Sequence, residues 1–384
     1  MGRYWRLVGS THHGRSVGKQ RPGEYPEVFN WLELDIQSSI GKECEVNWSM
    51  RSTQERIQEI DDLVLAVPED REVLSALAEE LDCIERSCKP ENFAILGDTF
   101  SGKTTTRDKV VMELIRRGFF PTDRRILRGT AIHADVVAAA DRDPGPSARR
   151  FVALDANSSG QTKAFLNEFL AVLGETVLTA SSTGSIETHV RDIIYSQHVE
   201  VILIDEAHHL VMHKGAKVSW NVTELLKNIT NGVNVLIICF GLPETVQLLQ
   251  LNAQLRMRGP LVIKLNPYDW NDETSRSQFK RYLHEFDKRL PFDRLSDLDE
   301  NFLAFRIYQA TSGSKGLAAR MLKAAARIAL RSEADHVELS HLNEAYKKYA
   351  AMRGSHVNPF GNAVPATWVP YEAGYWQRHE PVGA

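Results

Sequence analysis

Residues 93–117 read FAILGDTFSGKTTTRDKVVMELIRR, and three signals lie end to end in them. FAIL is a four-residue apolar run of strand length. GDTFSGKT, at 97–104, fits the spacing G-x-x-x-x-G-K-[ST]. TTTRDKVVMELIRR carries its apolar residues at helical spacing. Glycines in the loop let the backbone wrap so that its N–H groups point at phosphate oxygens. The helix that follows adds the positive end of its dipole. Lys103 is placed to reach the β- and γ-phosphates, and the Thr104 hydroxyl to sit on Mg²⁺. The loop expected to cradle the nucleotide is therefore Gly97, Asp98, Thr99, Phe100, Ser101, Gly102, Lys103, Thr104 and Thr105. No guanine-reading N-K-x-D stands at a suitable place, which favours ATP.

Outward from this stretch, four more apolar runs match FAIL. They are FVAL (151–154), VILI (201–204), VLIICF (235–240) and LVIKL (261–265). None alternates cleanly with polar residues, the pattern of strands buried on both faces. Helical patterns lie between them at 104–117, 163–173, 186–196, 222–229 and 243–251. Such alternation predicts an α/β P-loop NTPase with a parallel five-stranded sheet and helices on both faces. After Asn266 the strand signals stop. Helical patterns at 272–289, 299–311, 314–331 and 340–352 predict a small C-terminal helical lid domain. Upstream, RIQEIDDLVLAV from Arg56 and a run through Val73, Leu77 and Leu81 are also helical. The expected organisation is an N-terminal extension (1–54), a nucleotide-binding domain (55–270), the lid (271–352) and a tail (353–384).

VILIDEAHHL, at 201–210, ends a buried-strand pattern in Asp205 and Glu206. A strand ending in an acid puts Asp205 at the C-terminal edge of the sheet, beside the phosphate loop. There it can hold Mg²⁺ through water. Glu206 stands one residue further and can polarise the attacking water as general base. A kinase would not need this second acid, so the pair argues for hydrolysis. The letters D-E-A-H invite a helicase reading, but that needs two tandem sheet domains, and the chain after 270 is helical. His208 and His209 read as helix-start residues near the site and not as metal ligands.

After the fourth run, GLPE offers only weak candidates for a γ-phosphate sensor: Cys239, the Gly241 backbone and Glu244. Arg256 and Arg258, in QLRMRGP, stand at a helix end from which either can enter a neighbouring subunit's site and neutralise transition-state charge. Lys315, just before a lid helix, sits where a lid residue could touch the γ-phosphate. Along that helix Arg320, Lys323, Arg327 and Arg331 form one stripe, read as a solvated basic face.

The 384 residues are 43% hydrophobic and 25% charged, normal for a globular protein. With 46 basic and 50 acidic residues the net charge is −4, which excludes a wholly basic DNA coat but not a local basic groove. Four cysteines without a CxxC pair point away from a zinc site or disulfide framework and fit a reducing cytosol. No apolar run approaches the roughly 20 residues of a membrane span, and the N-terminus lacks the apolar core of a secretory signal.

The strand–GDTFSGKT–helix unit, IDEAHHL, GLPE, QLRMRGP and the SGSKG that opens the lid helix together resemble AAA+ ATPases. More narrowly, residues 55–350 resemble the TniB/TnsC group, ATP-dependent regulators of DNA transposition. The sequence departs from that group at Leu242, where Thr is common, and at RMRGP, which replaces an Arg-Phe ending. The resemblance implies a bacterial cytoplasmic protein that binds ATP and Mg²⁺ and forms a homo-oligomeric ring or helical filament on duplex DNA without sequence preference. It implies recruitment of a transposase, with a targeting complex as a further partner. By position in the group, the DNA contacts fall on loops holding Lys163, on Thr183 and Ser185, and on Lys214 and Lys217. Lysines and hydroxyls without aromatics suit phosphate tracking. The arginine-rich segment 116–150 either adds to that face or is a surface insertion. The tail, with Trp368, Tyr371, Tyr375 and Trp376, is expected to dock on a partner. A loader or signalling switch that grips protein and not DNA is the alternative from another class.

Overall fold

The computed structural model describes residues 47–128, 132–141, 145, 147–156, 162–176, 181–212, 224, 226–228, 234–250, 261–350 and 358–361. All belong to one compact unit, Glu45–Ala384. Helices α1 (Thr53–Asp62) and α2 (Pro68–Glu85) precede β1 (Phe93–Leu96) and α3 (Lys103–Arg116). Next come β2 (Phe120–Pro121), α4 (Ala134–Ala140), β3 (Arg150–Asp155), α5 (Thr162–Val172), α6 (Thr183–Ser196) and β4 (Val199–Asp205). Then follow α7 (His209–Met212), β5 (Leu236–Gly241), α8 (Val246–Gln250) and β6 (Leu261–Lys264). The C-terminal helices are α9 (Glu273–Lys288), α10 (Asn301–Thr311), α11 (Lys315–Arg331) and α12 (Leu339–Ala350).

The strands form one six-stranded sheet in the order β2-β3-β4-β5-β1-β6. Every pairing is parallel. The five strands expected from the apolar runs are all present. The sixth, β2, corrects the count: a two-residue edge strand, Phe120–Pro121, leaves no apolar run to read. Residues of β1 divide by parity between two cores. Phe93 and Ile95 pack with Val73, Leu77 and Leu81 of α2 and Val110 and Leu114 of α3. Ala94 and Leu96 join Phe165 and Phe169 of α5 and Ile186 and Val190 of α6 on the other face. Both faces of the sheet are therefore dry, which is why the strands read as unbroken apolar runs.

A third core belongs to the C-terminal helices. It gathers Phe279, Leu283 and Phe286 of α9, Ile307 of α10, and Met321, Leu322 and Ala325 of α11. Ile60, Leu63 and Leu65, from α1 and the turn after it, lie in this core and not in either core of the sheet. Phe360 is buried there as well, edge-on to Tyr346 at 5.9 Å. Arg306 fixes that segment by donating to Pro359 O (2.9 Å) and Gly361 O (3.2 Å). The stripe on α11 is not simply solvated: Lys323 Nζ donates to Asp61 O at 2.9 Å, and Arg327 pairs with the Asp61 carboxylate. Most arginines described in 116–150 are likewise engaged. Arg117 pairs with Asp82 and Glu113, Arg124 with Asp141, Arg125 with Asp123, and Arg149 with Glu85 and Glu200. No helix among the described residues is long and apolar enough to cross a membrane.

Candidate nucleotide-binding site

The phosphate loop leaves β1 and turns through two left-handed residues, Phe100 (φ 66°) and Gly102 (φ 103°). Gly102 adopts this at no steric cost. Lys103 is buried inside the curl, and its Nζ donates to Gly97 O at 2.7 Å and Asp98 O at 3.0 Å. Burial lowers its pKa, while Glu206, Asp205 and Asp98 pull the other way. Ser101 Oγ is buried without a hydrogen-bond partner among the described residues. An unsatisfied hydroxyl inside such a loop fits a polar ligand. Thr104 stands exposed on the first turn of α3, and Thr105 is half-buried.

β4 delivers Asp205 to the same end of the sheet, with β5 lying between β4 and β1. Asp205 Oδ1 accepts from Glu206 N at 2.9 Å. Its Oδ2 accepts from Arg107 Nη1 at 2.6 Å. Arg107 also donates through Nε (3.1 Å) and Nη2 (2.8 Å) to Asp108 Oδ1. No motif marks Arg107, although it lies four residues after Lys103, one helical turn along the same face. Glu206 is left-handed (φ 49°), a conformation that costs a non-glycine residue about 1 kcal/mol. Its side chain is 40% exposed, open to a reacting water.

Thr104 and Asp205 together offer hard oxygen donors, the set that suits Mg²⁺. Each carboxylate oxygen of Asp205 has a second lone pair beyond the protein donor it already meets. Glu206, His208 and His209 also bring one ligand atom each within 4.8 Å of one another. The nearby Lys103 charge opposes a cation there, and it contributes to lowering the His208 pKa. As expected, His209 opens a helix, and His208 lies in the turn before it.

His208 is buried, with Nδ1 3.1 Å from Glu206 Oε2 but not hydrogen-bonded to it. Its ring packs against His209 with centroids 4.1 Å apart. Burial first, then His209 and Lys103, push its pKa down from 6.5 to about 4. The folded chain thus holds His208 neutral while an unfolded chain protonates it near pH 6.5. Stability from this group is complete above pH 6.5 and is lost as pH falls from there towards 4. Denaturant midpoints measured across that window should fall with acid in the wild type, and less steeply in His208→Gln. Equal slopes in the two proteins would remove His208 from the acid response.

Of the sensor candidates, Cys239 is fully buried in the sheet core, and its thiol pKa is pushed up to about 12. Gly241 O accepts from Gly97 N at 3.1 Å, so β5 braces the start of the loop. Glu244 Oε2 is buried without a hydrogen-bond partner among the described residues.

The lid helix α11 docks on the loop by its N-terminus. Ser314 Oγ and Gly316 N both donate to Phe100 O, each at 2.9 Å. The Arg320 guanidinium lies 5.5 Å from the Phe100 ring centroid. A Cβ on Gly316 would stand 2.5 Å from Phe100 O, where backbone cannot give way. Gly316→Ala should therefore lift the lid from the loop and cost about 1–3 kcal/mol of stability. A melting temperature equal to wild type would show that the clasp yields freely.

The Lys315 ammonium is engaged by a carboxylate outside the loop. It is buried, paired with Glu69 and 5.0 Å from the Tyr268 ring centroid. Next to Glu69, Asp70 accepts from Thr106 Oγ1 (2.9 Å), Lys109 Nζ (2.6 Å) and Val67 N (2.8 Å). The start of α2 thus grips both the loop helix and the lid. Lys163 lies half-buried on the first turn of α5. Thr183 and Ser185 are exposed on the first turn of α6, which Ser182 caps. Arg256, Arg258, Lys214 and Lys217, and the aromatic tail residues from Trp368 on, lie outside the described residues.

Residues 89–249 match the family described as AAA domain. The chain has the P-loop AAA+ α/β fold, followed by a C-terminal helical region. Among solved structures it is similar to Cdc6p from Pyrobaculum aerophilum, at 16% identity and a TM-score of 0.50, over 74% of this chain and 68% of that one. The ORC2 protein of Aeropyrum pernix in its ADPNP–ADP complexes aligns at 15% identity and a TM-score of 0.49, covering 76% and 71%. Drosophila ORC bound to DNA aligns at 16% identity and a TM-score of 0.49, covering 88% and 73%. No curated protein matches the sequence.

Proposed function

We propose that this chain hydrolyses ATP, and that its ATP-bound oligomer assembles on target duplex DNA and recruits and regulates a transposase. The observation that carries the reading is one site holding a buried phosphate-loop lysine, Lys103, and an acidic pair, Asp205 and Glu206, at the end of β4. The match to the AAA domain supports the hydrolytic part. The DNA and transposase parts rest on the motif resemblance to the TniB/TnsC group.

Lys103 binds the β- and γ-phosphates. The loop amides from Gly97 to Thr105 and the α3 dipole add to that hold. Thr104 and Asp205 hold Mg²⁺, which when bound neutralises phosphate charge. Glu206 orients the attacking water and takes its proton. Arg258, or Arg256, reaches from one subunit into the next, so hydrolysis depends on assembly. Lys163, Thr183, Ser185, Lys214 and Lys217 track DNA phosphates, and the clasp of Ser314 and Gly316 on Phe100 carries changes in the loop to the lid.

The test is ATP hydrolysis by the purified chain, with random-sequence duplex titrated in, beside Lys103→Ala. Wild-type turnover should rise with duplex. Lys103→Ala should lose about 10- to 100-fold in ATP affinity, the worth of charge-assisted bonds to phosphate. Turnover indifferent to duplex would leave the ATPase and remove the DNA step, pointing to a switch that grips protein. No turnover in the wild type would remove the hydrolytic reading.

A further inference from the structure

Arg107 has no part in the chemistry above, yet it makes a short ion pair with the carboxylate expected to serve magnesium. Nη1 of Arg107 lies 2.6 Å from Asp205 Oδ2, with the two side chains only 20% and 15% exposed. Its other arm is anchored: Nε and Nη2 both reach Asp108 Oδ1, and the Asp108 side chain is 4% exposed. A planar guanidinium suits this double duty, because its donors leave in fixed, divergent directions. The tether to Asp108 carries two bonds and the reach to Asp205 one. Arg107 can therefore release Asp205 and remain held. Asp205 Oδ1 is meanwhile occupied by Glu206 N at 2.9 Å.

A divalent cation approaching Asp205 meets a positive charge already seated on it. We propose that Arg107 is a built-in counter-ion for Asp205 that competes with magnesium, and so sets the magnesium concentration at which nucleotide is held. The proposal rests on the nucleotide-site reading above. Arg107 is a positioning residue: without magnesium it neutralises and orients Asp205, and it yields as the ion arrives.

Direct removal of Arg107 strands Asp108, which is buried and whose pKa is already raised by burial. The working variant is therefore Arg107→Gln with Asp108→Asn, which removes both charges together. Binding of a fluorescent ATP analogue to the full chain is followed as Mg²⁺ is titrated. The half-saturating Mg²⁺ should fall about fivefold in the double variant, the order of one partly exposed ion pair. Affinity in excess chelator should stay within about twofold of wild type. A merely structural role for Arg107 would shift both quantities or neither. Intact nucleotide binding with an unmoved or higher Mg²⁺ midpoint would overturn the proposal while sparing the nucleotide site. A wild-type chain that holds no nucleotide at any Mg²⁺ would remove the site reading and the proposal with it.

A second arm needs no nucleotide. In the Asp108→Asn background, Arg107→Gln and Asp205→Asn are combined in a double-mutant cycle on melting temperature. Non-additive shifts support the pair in the free chain. Additive shifts overturn it.

Discussion

Replacing Glu206 with glutamine is expected to lower ATP turnover by about 10²–10⁴-fold while leaving nucleotide affinity within about twofold of wild type. Glutamine keeps the shape of the side chain and loses its charge and its ability to accept a proton. No hydrogen bond described in the site rests on the Glu206 carboxylate, although its charge helps to keep Lys103 protonated. Asp205 is held by Arg107 and by the Glu206 backbone N–H, both of which survive the substitution. His208 lies 3.1 Å from the carboxylate without a hydrogen bond to it, so little structure is lost. Pre-steady-state turnover beside equilibrium binding of an ATP analogue separates the two effects. Wild-type turnover in Glu206→Gln would show that another group activates water. A parallel loss of binding would show that the variant disturbs the loop and not the proton transfer.

The largest stability effect is expected at Asp70. It is 2% exposed and accepts from three donors: Lys109 Nζ, Thr106 Oγ1 and Val67 N. The Lys109 side chain is only 11% exposed, so removal of the carboxylate leaves a charge with little access to water. Breaking one side of such a pair costs about 3–5 kcal/mol. In a chain of this size that lowers the melting temperature by on the order of 10 °C. Asp70→Asn, which keeps one acceptor oxygen, should lose clearly less. Scanning calorimetry of the two variants beside wild type measures both. A loss below about 1 kcal/mol in Asp70→Ala would mean that the Leu65 carbonyl, which Lys109 Nζ already meets at 3.0 Å, and water suffice for its charge. The α2 start would then not be the brace between loop helix and lid.

Much of this architecture is legible in the chain because its signals are local. FAIL, VILI and VLIICF announce buried parallel strands, since neither face of the sheet meets water. GDTFSGKT announces the loop, since glycine, lysine and threonine must fall at fixed offsets for backbone amides to face phosphate. What stayed hidden depends on partners far apart or on backbone atoms. Phe120–Pro121 is too short to leave a period. The clasp between lid and loop ends on the carbonyl of Phe100, which any residue would supply. Lys315 looked free to face phosphate because its partner, Glu69, stands 246 residues away. The basic stripe of α11 looked solvated because Asp61, its acceptor, lies 262 residues from Lys323. Arg107 and Asp205 are separated by 98 residues. The α3 spacing from Lys103 was the available clue to that pair, and it becomes decisive only once β4 is seen beside β5.

The central claim is that ATP gates assembly on DNA, and anisotropy with a labelled random-sequence duplex tests it most directly. The chain is titrated with and without a non-hydrolysable ATP analogue, at several salt concentrations. Tight binding only with the analogue, weakening steeply with salt as phosphate contacts are lost, is the predicted result. Equal binding in both states would contradict the gating, and no binding in either would contradict the DNA-assembly reading itself.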